Sequence, residues 1–148
     1  MKLTKLAEDY LRRAKVRVKS AELAYSDKAY PDVVRYSQEC VELSLKAALR
    51  SIGVEYPKEH DMSRVLKAVK DRFPEWFRRE TESLGEISRD LADKRAPSLY
   101  GIESLGKAPS DIFDKDDAEN ALLSAKHVLN IVSKLFLDLH IISEDEVQ

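Results

Sequence analysis

The chain is short of the residues that cross-link or interrupt a fold. Its 148 residues include one cysteine, four glycines, five prolines and one tryptophan. A single cysteine excludes an internal disulfide, and Cys40 falls on an apolar helical arc, which reads as a buried structural thiol. With so few glycines there is no Gly-rich loop of the kind that cradles phosphates. No apolar run approaches the roughly 18 residues of a membrane span. The opening MKLTKLAEDYLRRAK lacks the apolar core of a signal peptide, so a cytoplasmic protein without membrane contact is expected. An excess of one charge is missing too. There are 25 basic and 27 acidic residues, for a net charge of −2. That excludes a global basic field for nucleic acid but leaves room for a local basic patch. The three histidines, His60, His127 and His140, are too far apart for a local metal motif, no nucleophile triad is complete, and no cofactor is expected.

Hydrophobic residues supply 43% of the chain and charged residues 35%, a balance suited to long helices with exposed polar faces. No stretch alternates with period two, and no internal repeat is visible. Helical periodicity predicts a first helix over about Thr4–Tyr25, with Leu6, Tyr10, Ala14, Ala21 and Tyr25 on one face and Leu3, Ala7 and Leu11 beside them. A turn leads to Pro31, suited to the first turn of a second helix that runs to about Ser51 and is closed by Gly53. That helix keeps Val34, Val41, Leu45, Ala48 and Ile52 on its apolar arc. A short third helix over Met62–Arg72 is capped by Asp61 or Ser63, and a fourth covers Glu75 to about Lys94. There Trp76, Leu84, Ile87 and Leu91 share a quadrant, and Gly85 implies a kink or close packing. Residues 96–111, with two prolines and two glycines, read as a long loop. The last helix starts at Ser110 or Asp111 and reaches about His140, with a seam at Ala118, Leu122, Ala125, Leu129, Val132, Phe136 and Leu139. The expectation is an all-α, antiparallel up-and-down bundle of four to five helices over residues 1–140, followed by an acidic, frayed tail over 141–148.

The second helix carries a polar row opposite its apolar arc: Arg35, Gln38, Glu42 and Lys46, spaced three or four residues apart and so on one face. Such a row suits solvent, a two-fold partner, the long loop or a nucleotide. His60-Asp61 follows at the start of the third helix. His60 reads either as a capping side chain or as a base beside a phosphate. His127 falls opposite the seam of the last helix, toward solvent, and His140 falls on it, as packing. Arg95 lies at the edge of the fourth helix's apolar stripe and must find an acceptor if partly buried, either a carboxylate such as Glu42 or Glu103 or a ligand phosphate. Tyr100 can stack on a base or cover the core.

The segment YSQECVELSLKAALRSIGVEYPKEHDMSRVL, residues 36–66, resembles a HEPN domain. The matching pattern is Gln38, Glu42, Lys46 and Ala47 on one helix, then His60-Asp61 before a short helix, with the upstream AYPDVV turn and the first helix also in register. The resemblance implies a helical bundle that forms a homodimer, and a partnership with a minimal nucleotidyltransferase in toxin–antitoxin-like gene pairs. It also implies a ribonuclease signature in many members: an arginine, four to six residues, then a histidine. This chain departs from that signature, since Arg95 is followed at the matching spacing by Tyr100. A phenol of ordinary pKa near 10 is a poor base at neutral pH. The expectation is therefore a noncatalytic subunit that binds nucleotide or RNA through Arg95, Tyr100, His60 and Lys46, with Arg35, Gln38 and Glu42 as a structural or dimer row. The alternatives are a divergent metal-independent ribonuclease using Arg95 with His60 or Tyr100, and a homodimeric interaction module without a small ligand.

Overall fold

A computed structural model of the chain describes residues 2–56 and 58–141, the side chains of Lys2 and Leu3 apart. Among these the elements are α1 (Lys2–Ser26), α2 (Tyr30–Ser51), α3 (Ser63–Val69), a 3-10 turn (Lys70–Arg72), α4 (Glu75–Arg78), α5 (Thr81–Tyr100), a 3-10 turn (Glu103–Leu105), α6 (Pro109–Ile112) and α7 (Lys115–Asp138). The fold is an all-α bundle built on α1, α2, α5 and α7, with α2 packed against the other three. Pairings along the helices fix their directions. Arg17 of α1 meets Glu39 of α2, and Ala21 and Ala24 of α1 cluster with Val33 of α2, so these two helices run opposite ways. Cys40 Sγ lies 3.9 Å from the Ala125 carbonyl while Val33 clusters with Ala118, so α7 runs with α2. The order is up, down, up, down.

The central place of α2 follows from its sequence. Val33, Val34, Cys40, Val41, Leu43, Leu45, Ala47, Ala48 and Leu49 are all buried, which covers more than one face. Leu45 and Leu49 pack with Phe77, Phe136, Leu84 and Leu135 in the main core, each worth roughly 1.5–3 kcal/mol of burial. Gly53, at φ +76, ends the helix as expected: Gly53 N–H donates to Arg50 O and Val54 N–H to Leu49 O.

Several sequence expectations need correction. The buried stripe of α1 is Ala7, Leu11, Ala14, Val18, Ala21 and Ala24, while Leu6 is 45% exposed. Its alanines let α1 lie close against α2, while the larger Leu6 and Tyr10 stand beside the contact. Leu3 lies outside the described side chains. Second, the fourth helix is two: α4 stops after Arg78, and α5 starts at Thr81. Gly85 serves close packing, since an added Cβ would sit 3.3 Å from Ser63 Cβ.

Third, residues 96–111 are not a long loop. α5 runs through Pro97 to Tyr100; the proline costs one intrahelical bond, and Ser98 Oγ donates to the Arg95 carbonyl at 2.7 Å. Gly101 ends the helix at φ +70, ψ −152, and a hairpin-like turn bridges Ile102 to Lys107. α6 follows. α7 begins later than expected, at Lys115, because Asp114 and Asp117 each accept the other's backbone N–H at 3.0 and 2.9 Å. It ends at Asp138, leaving His140 exposed at φ +58 rather than packed on the seam. Residues 142–148, which hold all of the expected acidic tail except Ile141, lie outside the described residues. No described helix is long and apolar enough to cross a membrane.

Candidate functional site

The polar row of α2 is not a solvated face. Gln38 is 1% exposed, and the side chains of Glu39 and Glu42 are 16% and 14% exposed. The row faces α5 and the segment that leads into α3, and it forms one hydrogen-bonded belt. Arg95, reaching across from α5, donates from Nη1 to Gln38 Oε1 at 2.7 Å. Gln38 Nε2 donates to Glu42 Oε1 at 2.9 Å. Lys46 Nζ donates to Glu42 Oε2 at 2.8 Å. The ring of His60 meets Glu42 Oε1 through Nδ1 at 2.6 Å.

Chemistry fixes the directions in this chain. A guanidinium only donates and a carboxylate only accepts, so the Gln38 amide must turn its oxygen to Arg95 and its nitrogen to Glu42. Burial works to raise the Glu42 pKa, but the bonds from Lys46, Gln38 and His60 outweigh it and hold the carboxyl below its usual range. Glu42 is therefore ionised at neutral pH, and His60 Nδ1 carries the proton that binds it. In the neutral imidazole Nε2 is then left as an acceptor, on a side chain that is 54% exposed.

Glu39 anchors the other end of the belt and was not singled out from sequence. It accepts from Arg17 Nε at 2.8 Å and Arg35 Nε at 3.1 Å, and Arg95 Nη1 lies 3.5 Å away. The Arg35–Glu39 pair sits at i,i+4, a signal the sequence did contain. Arg17 comes from α1, and nothing local could reveal it. The expected carboxylate partner for Arg95, Glu42 or Glu103, is thus replaced by Gln38 and Glu39. Two tyrosines close the Lys46 end. Lys46 Nζ lies 4.9 Å above the Tyr56 ring and the Arg50 guanidinium 5.1 Å from it, and the Tyr56 and Tyr10 hydroxyls are hydrogen-bonded. Burial, with the Tyr10 bond, raises the Tyr56 pKa.

The segment after His60 is fixed by its own bonds. Asp61 Oδ1 accepts the Ser63 N–H at 2.8 Å, the capping role expected for it, and the Met62 N–H donates to Ser88 Oγ of α5 at 2.8 Å. The structure thus joins Arg95, Gln38, Glu42, Lys46 and His60, with Arg35 linked through Glu39. It does not bring Tyr100 into the belt. Five residues along one helix turn a side chain by about 140°, and Tyr100 is 66% exposed while Arg95 points to α2. Among the described residues no group of three or more His, Cys, Asp or Glu could hold a metal.

Basic side chains outnumber acidic ones in this belt: Arg17, Arg35, Lys46, Arg50 and Arg95 stand against Glu39 and Glu42. Each carboxylate is clamped by several of these donors, and the belt as a whole carries a positive excess.

The comparisons agree with this architecture. No solved structure matches the chain. A protein of Methanocaldococcus jannaschii named "Putative toxin MJ1304" is 28% identical over 134 residues, covering 86% of each chain. The HEPN domain model matches residues 7–135, which takes in most of α1, most of α7 and every residue of the belt. With that span matched, the chain belongs to the HEPN domain family.

Proposed function

We propose that this protein is the noncatalytic HEPN subunit of a toxin–antitoxin-like pair, acting with a minimal nucleotidyltransferase and binding nucleotide at the rim of the belt. The observation that carries the reading is the state of Arg95. Its guanidinium is engaged by Gln38 at 2.7 Å and Glu39 at 3.5 Å, and the residue at histidine spacing, Tyr100, sits on another face of the helix. An arginine held in this way and lacking its histidine is poorly placed to support cleavage. The positive side chains of Lys46 and Arg50 beside the Tyr56 ring, with Arg35 at the far end of the row, suit a phosphate and a base. Homodimerisation and a cytoplasmic location belong to the same proposal.

Titration calorimetry with ATP and GTP tests it. Saturable heat, weakened about tenfold by Lys46→Met as one charge-assisted contact is lost, supports the reading. No heat with either nucleotide overturns the binding function.

One observation favours a second reading, a divergent ribonuclease. The Glu42–His60 pair holds an imidazole by Nδ1 on a side chain that is 54% exposed, which leaves Nε2 as the acceptor a general base needs. The resemblance to a chain named as a toxin points the same way. Labelled RNA incubated with the protein in EDTA decides between them: cleavage abolished by His60→Gln replaces the noncatalytic reading.

A further inference from the structure

Away from the belt, a groove of about 410 Å³ opens between α3 and the first half of α5. Its walls carry opposite charges that do not meet. Lys67 and Lys70 stand on the α3 side, Glu82 and Glu86 on α5, and among the described residues none of the four makes an ion pair within 4.0 Å. Arg89, lower in the groove, is answered by Asp61 at 4.0 Å. Ser63, 8% exposed, stands at the floor where Gly85 lets the two helices touch, and its buried Oγ has no hydrogen-bond partner. A buried hydroxyl without a partner costs free energy, which an incoming polar group can recover. The groove also lies against the start of α5, where no side chain caps the helix.

A simple anion would meet the lysines but also two carboxylates, and a simple cation would meet the reverse. Since the walls stand further apart than an ion pair, each is complemented by a different end of one molecule. We propose that this groove binds a small zwitterion, with its phosphate or carboxylate between Lys67, Lys70 and the Ser63 hydroxyl, and its ammonium group against Glu82 and Glu86. The proposal is independent of the belt and of its nucleotide.

The test is a titration of the full chain, followed by backbone amide NMR, with phosphoethanolamine, inorganic phosphate and ethanolamine as separate probes. Saturable shifts at Ser63, Thr81 and Gly85 with phosphoethanolamine are expected, with each half-molecule at least about tenfold weaker because it satisfies one wall alone. Lys67→Met and Glu86→Gln should each weaken the zwitterion several-fold. Ser63→Ala should weaken it while leaving the melting temperature unchanged or raised, since the hydroxyl it removes has no partner in the free protein. Phosphate binding as well as phosphoethanolamine would replace the zwitterion site by an anion site, ethanolamine binding as well would replace it by a cation site, and no saturable shift with any probe would overturn the site altogether.

Discussion

Replacing Gln38 by methionine isolates the relay at the centre of the belt. The side-chain volume is nearly kept, while both hydrogen bonds are lost, the 2.7 Å bond from Arg95 and the 2.9 Å bond to Glu42. A hydrogen bond to a charged partner contributes about 1.5–3 kcal/mol net, so the pair would give about 3–6 kcal/mol if neither partner had another contact. Both do. Arg95 retains Glu39 at 3.5 Å, and Glu42 retains Lys46 at 2.8 Å and His60 at 2.6 Å. Methionine also recovers some apolar burial at a site only 1% exposed. These offsets bring the expected loss to about 2 kcal/mol. Urea unfolding at fixed protein concentration should then show the midpoint falling by roughly 1 M at unchanged slope. A double-mutant cycle sharpens the result. Arg95→Met and Glu42→Gln remove residues that share no bond, yet the relay predicts a coupling of about 0.5–1 kcal/mol through the Gln38 amide. A Gln38→Met loss below about 0.5 kcal/mol, or strict additivity in the cycle, would show that the row is a solvated face and that the relay does not organise the bundle.

Glu42 predicts an acid limb. Its folded pKa is depressed below the usual 4.5, so the stability it contributes is present above pH 4.5 and is lost as pH falls through the lower folded value. Glu42→Gln should be less stable than the parent at pH 7 and should lose less on going from pH 5 to pH 3, as read by unfolding at each pH. Gly101→Ala should cost about 3 kcal/mol or more, and roughly 10 °C in Tm by thermal melting, because φ is +70 and the new Cβ would collide with the Lys107 carbonyl. Cys40, whose thiol burial pushes up to about 12, should resist iodoacetamide in the native protein and react fully in denaturant. Rapid native labelling would contradict the packing of α2 on α7.

The fold was legible where the sequence signal is local. Gly53 ended α2, Asp61 met the Ser63 amide, and Ala118, Ala125, Val132 and Phe136 of the α7 seam are buried, while Leu122, Leu129 and Leu139 stand half-buried at its edge beside the buried Ala121, Val128 and Leu135. Misreadings fell where tertiary contact overrides local preference. Pro97 lies in the stretch expected as loop, but α5 tolerates it within four residues of its own terminus, and Gly101 is the stop. The turn at residues 79–80 carries neither proline nor glycine, so nothing in it announced the break between α4 and α5. On α1 the alanine stripe is weak in any hydrophobic count yet lies at the contact, since small residues let helix axes approach.

For the site, spacing correctly placed Arg35, Gln38, Glu42 and Lys46 on one side of α2 but could not say what that side faced. A polar row on a helix means solvent only if no other element covers it, and here α5 and the His60–Ser63 segment do. Coverage changes the chemistry of the same residues. In water, Glu42–Lys46 would be an i,i+4 pair worth a few tenths of a kcal/mol. Under α5, Glu42 is 14% exposed and must be satisfied on all sides, so it recruits Gln38 and His60 as well as Lys46. That demand ties α2 to the approach to α3 directly through Glu42, and to α5 through the Gln38 amide that Arg95 holds. It also limits Arg95: a guanidinium spent on Gln38 and Glu39 is a structural clamp first, and it can serve a phosphate only with the donors it has left. The residues most open to a ligand are therefore at the edges of the belt, where the His60 side chain is 54% exposed and that of Arg35 36%, against 14% for Lys46.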